Sequence, residues 1–411
     1  MVSIARKNLF EDVPRLLVAQ AGIMFAVSLV TIQTGIFNGV IRSTALLVDR
    51  STADIWVASE ETVYLELATP LPVEYLLQAR EVAGVRSAEA LLLSSVRWIK
   101  DGRIVPMRVI GFNPSGQLFS PWNVIAGDPA DLQQPYTIAV DSASLDSLQI
   151  DNVGQTGTVS SIPTKIVAIA EGTQSILSSS FMYTSLENAN AYITAGLRSS
   201  VVCESQGGTV RCTNVYEQDA DAPSPETPRS LKASDSITYI LVSVEPGQNV
   251  AEIRQRLEGT LTGVKTYTTA EMAENTRDYW KRRTAIGFIL GLGAAVGIFV
   301  GIVVVGQILY SSVADHIKEF GTLKAMGASD WVIYSVILEQ AFWMAVLGYF
   351  PGMGLCFGIA AIAYSTQGIA ILITPVAAAS VFGITVAICT GASLFAIQRV
   401  TRIDPAIVFK A

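Results

Sequence analysis

Histidine is almost missing from this 411-residue chain: the one copy is His316. With its only imidazole in a short loop between apolar runs, the chain has none for a Ser-His-Asp arrangement elsewhere, and metal sites of the histidine type are excluded. No catalytic residue and no metal ligand is assigned. The loop G-x-x-x-x-G-K-[ST], whose backbone cradles nucleotide phosphates, is also missing, so energy from ATP has to arrive through a partner. Basic excess is lacking too. Asp and Glu number 35 against 28 Lys and Arg, which argues against nucleic acid as a partner, because phosphate binding calls for a basic patch.

Charge as a whole is thin, at 15% of residues, and it vanishes from residues 16–41, from the 31 residues 284–314 and from the 59 residues 340–398. A helix needs roughly 20 apolar residues to cross ~30 Å of hydrocarbon. The first two runs therefore hold one span each, and the third has room for two with the turn Ser365-Thr366-Gln367-Gly368 between them. The expected organisation is an α+β membrane protein with four transmembrane helices, one plus three, at 16–41, 284–314, 331–364 and 369–398. A two-lobed α+β extracytoplasmic domain (42–283) separates the first from the second. An interfacial segment (1–15, ending at Pro14), a connector (315–330) and a tail (399–411) complete the chain. The first apolar run is too long for a signal-peptide core and should stay in place. Glu339, near the start of the third span, is the only ionisable group in the spans. Secondary transporters place such groups at mid-membrane, so that class is set aside.

Lys and Arg flanking the spans orient them. Arg6, Lys7, Arg15, Lys318, Lys324, Arg399, Arg402 and Lys410 all fall on one side, which is read as the cytoplasm and holds both termini. Lys281, Arg282 and Arg283 object, since they precede the second span from outside. Long translocated domains escape the rule, and Glu271, Glu274 and Asp278 offset the cluster. From Arg42 to Arg283 there are 28 acidic and 20 basic residues, while the remainder has 7 and 8. The acidity is a property of the outer domain.

Within that domain Ile55 opens a strand, a helix follows from Pro72 to Val82, and one or two strands run from Val85 to the hairpin turn Asp101-Gly102. The same order returns late: a strand at 237–244, a helix at 250–257, and Gly263-Val264 leading to Tyr267. Two β-α-β halves, 50–110 and 236–270, are expected to form lobes packed together, with a mostly β lobe (111–235) inserted. Cys203 and Cys212 flank a Gly207-Gly208 hairpin tip and could join in an oxidising compartment, worth on the order of 2 to 3 kcal/mol. Residues 217–230, rich in proline and acid, read as a linker. Cys356 and Cys389 lie in spans as core residues. Small residues recur four apart in every span (Gly35 and Gly39; Gly293, Gly297 and Gly301; Gly348 and Gly352; Gly383, Ala387 and Gly391), spacing that lets helix backbones approach in lipid.

The connector is amphipathic. Val313, Ile317, Phe320 and Leu323 share a face, with Asp315, Lys318, Glu319 and Thr322 opposite. Gly327 supplies a left-handed stop, and Ser329 with Asp330 can cap the next helix.

The run from Lys318 to Ser329, KEFGTLKAMGAS, resembles the E-x-G-T-L-K-A-L/M-G-A-S signature of the FtsX/MacB superfamily of ABC-transporter permeases. The tail from Arg402 to Lys410, with Asp404 and Pro405, is similar to that family's closing R-x-D-P-A-x-V/A-F/L-R/K motif. Residues 15–23, 53–57 and 111–114 are most similar to DevC-like permeases of cyanobacterial exporters. The resemblance implies a homodimeric permease subunit in the bacterial inner membrane, embedded in its lipids and without a cofactor of its own. A separate cytoplasmic ABC ATPase binding ATP and Mg would dock on Asp315, Ile317, Lys318, Glu319, Phe320, Gly321, Thr322, Leu323, Lys324, Met326 and Gly327, and on the tail. It also implies a membrane-fusion adaptor, an outer-membrane channel beyond it, and a lipid-like or glycolipid cargo moved by mechanotransmission. The alternative it carries is an FtsX-like, non-transporting signal transmitter that activates a cell-wall hydrolase.

Overall fold

A computed structural model of the chain describes residues 13–195, 198–206, 209–217, 227–233, 235–315, 319, 322, 324, 326–367 and 371–401. It forms two compact units, a membrane unit of Met1–Gly39 with Thr284–Ala411 and a head of Val40–Arg283. In chain order the described elements begin with α1 (Val13–Ser43), α2 (Leu46–Asp49), β1 (Ile55–Ser59), β2 (Leu71–Pro72), α3 (Glu74–Glu81), β3 (Val85–Lys100), β4 (Arg103–Phe112), β5 (Val124–Gly127) and β6 (Thr137–Asp141). Then come α4 (Leu145–Leu148), β7 (Thr156–Val159), β8 (Ile162–Ala170), β9 (Ser180–Ser185), α5 (Leu186–Thr194), β10 (Arg198–Gln206), β11 (Thr209–Glu217), β12 (Ser236–Ile237) and β13 (Tyr239–Val244). The chain continues through α6 (Val250–Thr260), β14 (Val264–Thr268), α7 (Thr269–Arg283), α8 (Ile286–Asp315), α9 (Asp330–Gln367) and α10 (Pro375–Thr401).

Helices α1, α8, α9 and α10 are each long and apolar enough to cross a membrane, one before the head and three after it. Their glycines record how they pack. A methyl placed on Gly293, Gly297 or Gly301 of α8 would meet Gln33, Leu29 or Ala26 of α1 within 3.0 Å, so the two helices run in opposite directions. Gly348 of α9 faces Ile23 and Gly352 faces Met24 and Val27, so α9 runs with α1. Small residues let these backbones close where lipid provides no hydrophobic drive. The glycines of α10 depart from the expectation: a methyl on Gly383 or Gly391 would meet no described atom within 4 Å. They face away from the other helices because α10 turns Val381, Cys389 and Ala392 into the core instead.

Two boundaries also differ from the sequence reading. Pro14 sits in the first turn of α1 instead of ending a separate segment; that position needs no intrahelical N–H. Residues 1–12 lie outside the described residues. The fourth span starts at Pro375 and not near 369, because proline disfavours helix in the residue before it and Thr374 Oγ caps the new helix at Ala377 N (3.1 Å). The intervening stretch packs on α1, with Leu372 N donating to Gly35 O at 3.0 Å.

The head is organised by one sheet in the order β14-β1-β13-β3-β4-β9-β6-β8-β5, with β7 pairing β3 and β8. The units β1-α3-β3 and β13-α6-β14 are present as the repeat predicts, but they are not two lobes side by side. Strand β1 lies between β13 and β14, antiparallel to both, and β13 pairs with β3. The halves interleave into one split β-α-β layer. Burial explains why. Ile55, Val57, Ile240 and Val242 point to α3 and α6, against Leu76, Ala79, Ile253 and Leu257. Trp56, Ala58, Tyr239 and Leu241 point the other way, against Met272 and Ala273 of α7. Strands apolar on both faces need two covers, and a lone β-α-β unit supplies one.

Strand β3 belongs to both lobes: its first half pairs with β13 and its second half with β4. The second lobe therefore grows out of the first at β4, earlier than residue 111. The turn between β3 and β4 has positive φ at Asp101 (48°) and Gly102 (77°), the two-residue geometry that suits strand twist. Its core includes Trp98, whose Nε1 donates to Leu148 O at 3.1 Å. Strands β10 and β11 pair so that Cys203 stands opposite Cys212. Most of the expected linker 217–230 lies outside the described residues.

Candidate functional site

Amphipathicity should sort the connector into a dry side and a wet side; of the expected dry side only Val313 is among the described residues. Val313, in the last turn of α8, is 1% exposed, while Asp315, Glu319 and Thr322 are exposed. Met326 N donates to Thr322 O at 3.0 Å and Gly327 N to Lys324 O at 3.1 Å, closing the helical turn. Gly327 then reverses the chain at φ 93°, a conformation that costs a residue with Cβ about 1 kcal/mol or more. Lys324 Nζ lies 3.0 Å from Asp330 Oδ1, which ties the connector to the first turn of α9. Val332 N donates to Ser329 O at 3.0 Å there.

This closed turn presents apolar surface outward. Met326 is 72% exposed and Trp331, in the first turn of α9, is 73% exposed. A thioether and an indole are side chains that suit adaptable contact surfaces. Met326 belongs to the expected docking set and Trp331 does not; the signal for it in the sequence is a tryptophan placed directly after the helix-capping pair Ser329 and Asp330. Ile317, Lys318, Phe320, Gly321 and Leu323, and the tail residues Arg402, Asp404 and Pro405, lie outside the described residues, as does His316. For Cys203 and Cys212 the backbone register alone is described.

In the head, α7, the last element before the second span, is tied to its surroundings along its length. Thr268 and Glu271 form a capping box: Glu271 Oε2 accepts from Thr268 N at 2.8 Å and Thr268 Oγ accepts from Glu271 N at 3.2 Å. That backbone N–H, with help from Arg254, holds the Glu271 carboxyl below the usual carboxylate range. Further along, Thr276 Oγ accepts from Leu65 N at 3.3 Å, and Asn275 donates to Val63 O at 3.1 Å. Arg277 pairs with Asp49. Tyr64 stacks on Tyr279 with ring centres 4.0 Å apart, and Trp280 meets Tyr64 edge-on at 5.7 Å. The loop carrying Tyr64 is tied back by Glu66, 7% exposed, to Arg108 at 3.0 Å. None of these ties is periodic in the sequence, so none was legible there.

Comparison with known proteins places this geometry in context. A family described as MacB-like periplasmic core domain matches residues 16–260, and one described as FtsX-like permease C-terminal matches residues 288–405. The macrolide export ATP-binding/permease protein MacB of Burkholderia lata is 28% identical over 158 residues, 38% of this chain and 22% of that protein. The pyoverdine export ATP-binding/permease protein PvdT of Pseudomonas savastanoi pv. phaseolicola is 24% identical over 211 residues, 50% of this chain and 31% of that protein. The chain thus aligns with less than a third of either. Among solved structures, the periplasmic region of MacB from Actinobacillus actinomycetemcomitans matches 57% of this chain and 94% of that one, at 9% identity and a TM-score of 0.35. The extracellular domain of the noncanonic ABC-type transporter YknZ from Gram-positive bacteria matches 52% and 99%, at 11% identity and a TM-score of 0.33.

Proposed function

The chain belongs to the FtsX/MacB superfamily of ABC-transporter permeases, and from that membership we propose that it is the permease subunit of an ATP-driven exporter. The observation that carries this reading is the connector: a short, capped turn between two spans, with Met326 and Trp331 bare. An ABC ATPase supplied as a separate chain grips that turn. Its opening and closing pull on α8, the next element after α7, and α7 is packed on the head sheet through Met272 and Ala273 and bonded to Leu65 through Thr276. A ligand-driven change needs contacts that differ between two states, and a turn gripped only in the closed motor meets that need. The head engages a membrane-fusion adaptor, a second copy of the chain completes the transporter, and an outer-membrane channel lies beyond the adaptor.

Both named relatives are exporters by their printed names, which favours export over the non-transporting transmitter. The narrower DevC-like likeness makes a lipid-like or glycolipid cargo the first to test, by the envelope lipid profile of a deletion strain; an unchanged profile rejects that cargo. Coupling is tested by Met326→Asp with Glu319→Lys. Buried charge in an interface costs several kcal/mol, so at least a tenfold loss of co-purifying ATPase and of stimulated ATP turnover is expected. Binding and turnover equal to wild type would reject the connector as the docking site.

A further inference from the structure

Lys281, Arg282 and Arg283 form the last turn of α7 and are all exposed. They break the usual bias of cations toward the cytoplasmic side, so their placement asks for a cause. Consecutive helix residues point about 100° apart, so these three side chains spread around the helix as a collar and do not line one face. Acids sit further from the span: Glu271 and Glu274 precede the collar, and only Asp278 reaches it, pairing with Lys281 at 2.9 Å. Arg283 lies over the Tyr279 ring at 5.9 Å. Arg42, exposed in the last turn of α1, adds a fourth cation at the other point where the head joins a span.

Two residues after the collar the chain becomes α8, where Phe288, Ile289 and Leu292 are 74%, 61% and 56% exposed. Side chains that apolar and that bare belong in hydrocarbon. Arg283 to Ile286 spans at most about 11 Å of extended chain, which reaches no further than the headgroup layer. Just before the collar on the same helix, Tyr279 and Trp280 cluster with Tyr64, and Val63 and Leu67 on the loop of Tyr64 are 45% and 52% exposed. Tyrosine and tryptophan prefer this zone, where one end of the ring is apolar and the other wet.

We propose that Arg42, Lys281, Arg282 and Arg283, with the Tyr64-Tyr279-Trp280 cluster, form a binding surface for the headgroups of anionic phospholipids. A protein partner approaches from one side and would be met by a stripe. A collar of cations directly beside an apolar span is met from all sides only by the phosphate layer around it. Phosphates there favour cations by charge. The proposal requires that α1 and α8 enter a bilayer; it does not depend on coupling to an ATPase.

The test uses the full chain in detergent, its thermal midpoint followed on adding phosphatidylglycerol or phosphatidylcholine with the same acyl chains. Wild type should gain stability from the anionic lipid over the zwitterionic one. The variant R42Q/K281Q/R282Q/R283Q should lose more than half of that difference, while R86Q/K165Q, two exposed head cations removed elsewhere, keeps it. An undiminished difference in the collar variant, or an equal loss in the control, overturns the proposal. So does a collar variant that keeps the lipid effect but loses a co-purifying acidic protein, which would assign the surface to a protein. Should the collar variant fail to fold, tryptophan quenching decides. Brominated phosphatidylglycerol should quench wild type more than brominated phosphatidylcholine does, with the excess removed by Trp280→Phe; no excess overturns the proposal.

Discussion

Single side chains set how firmly α7 is held. Glu271 caps the helix and faces Arg254 at 2.9 Å, and its carboxyl sits below the ordinary range chiefly through the Thr268 N–H. Its stabilising effect is therefore complete above the unfolded value, about 4.3, and is lost as pH falls through the lower folded one. Glu271→Gln keeps an acceptor but no titratable charge. We expect a shallower acid limb of stability below about pH 4, followed by circular dichroism of the full chain; an unaltered limb would show that the group does not contribute. Trp56 and Tyr239 show the other residue-level rule. Their rings meet edge-on at 5.3 Å, and each polar handle is satisfied, Trp56 Nε1 by Ser51 Oγ at 3.2 Å and Tyr239 OH by Leu65 O at 2.7 Å. Burying either without its partner would cost about 1–3 kcal/mol.

At the level of elements, the contacts of α1 decide the membrane unit. It meets α8 through glycines in one direction and α9 in the other, so its own face is lined by larger residues: Ile23, Ala26, Val27 and Leu29. Gly297→Leu would force a side chain onto Leu29, whose Cδ2 already lies 3.0 Å from where a methyl would sit. Overpacking of this kind costs about 1–3 kcal/mol. The thermal midpoint in detergent should fall for Gly297→Leu and stay level for Gly354→Leu, where no described atom lies within 4 Å. Equal effects would mean that the α1–α8 approach is not what these glycines provide.

Taken whole, the molecule is an acidic extracytoplasmic head joined by two connections to an apolar bundle. The head's compartment can be read chemically at β10 and β11. Directly opposed residues of an antiparallel pair have Cα atoms about 4.5 or 5.5 Å apart, both within the ~4.4–6.8 Å that a disulfide spans, and Cys203 faces Cys212 in this way. We expect both thiols to resist alkylation in protein isolated without reductant and to react after reduction. Free thiols in protein made in cells with an intact oxidising pathway would speak against an external head.

By itself the sequence determined the four spans, their one-plus-three arrangement, the connector with its Gly327 stop, and the two β-α-β halves. Each of these depends on run length, period or charge along a line, which one dimension records. Only the tertiary structure decided that the halves interleave in one sheet, that β3 serves both lobes, that Gly293, Gly297 and Gly301 of α8 pack while Gly383 and Gly391 face outward, and that Trp331 and Met326 both stand bare. Those outcomes depend on which of two faces meets a neighbour. Apolar residues on both faces of β1 and β13 say that two covers are needed, and the choice of α3 and α6 for one and α7 for the other follows from chain reach and volume in three dimensions.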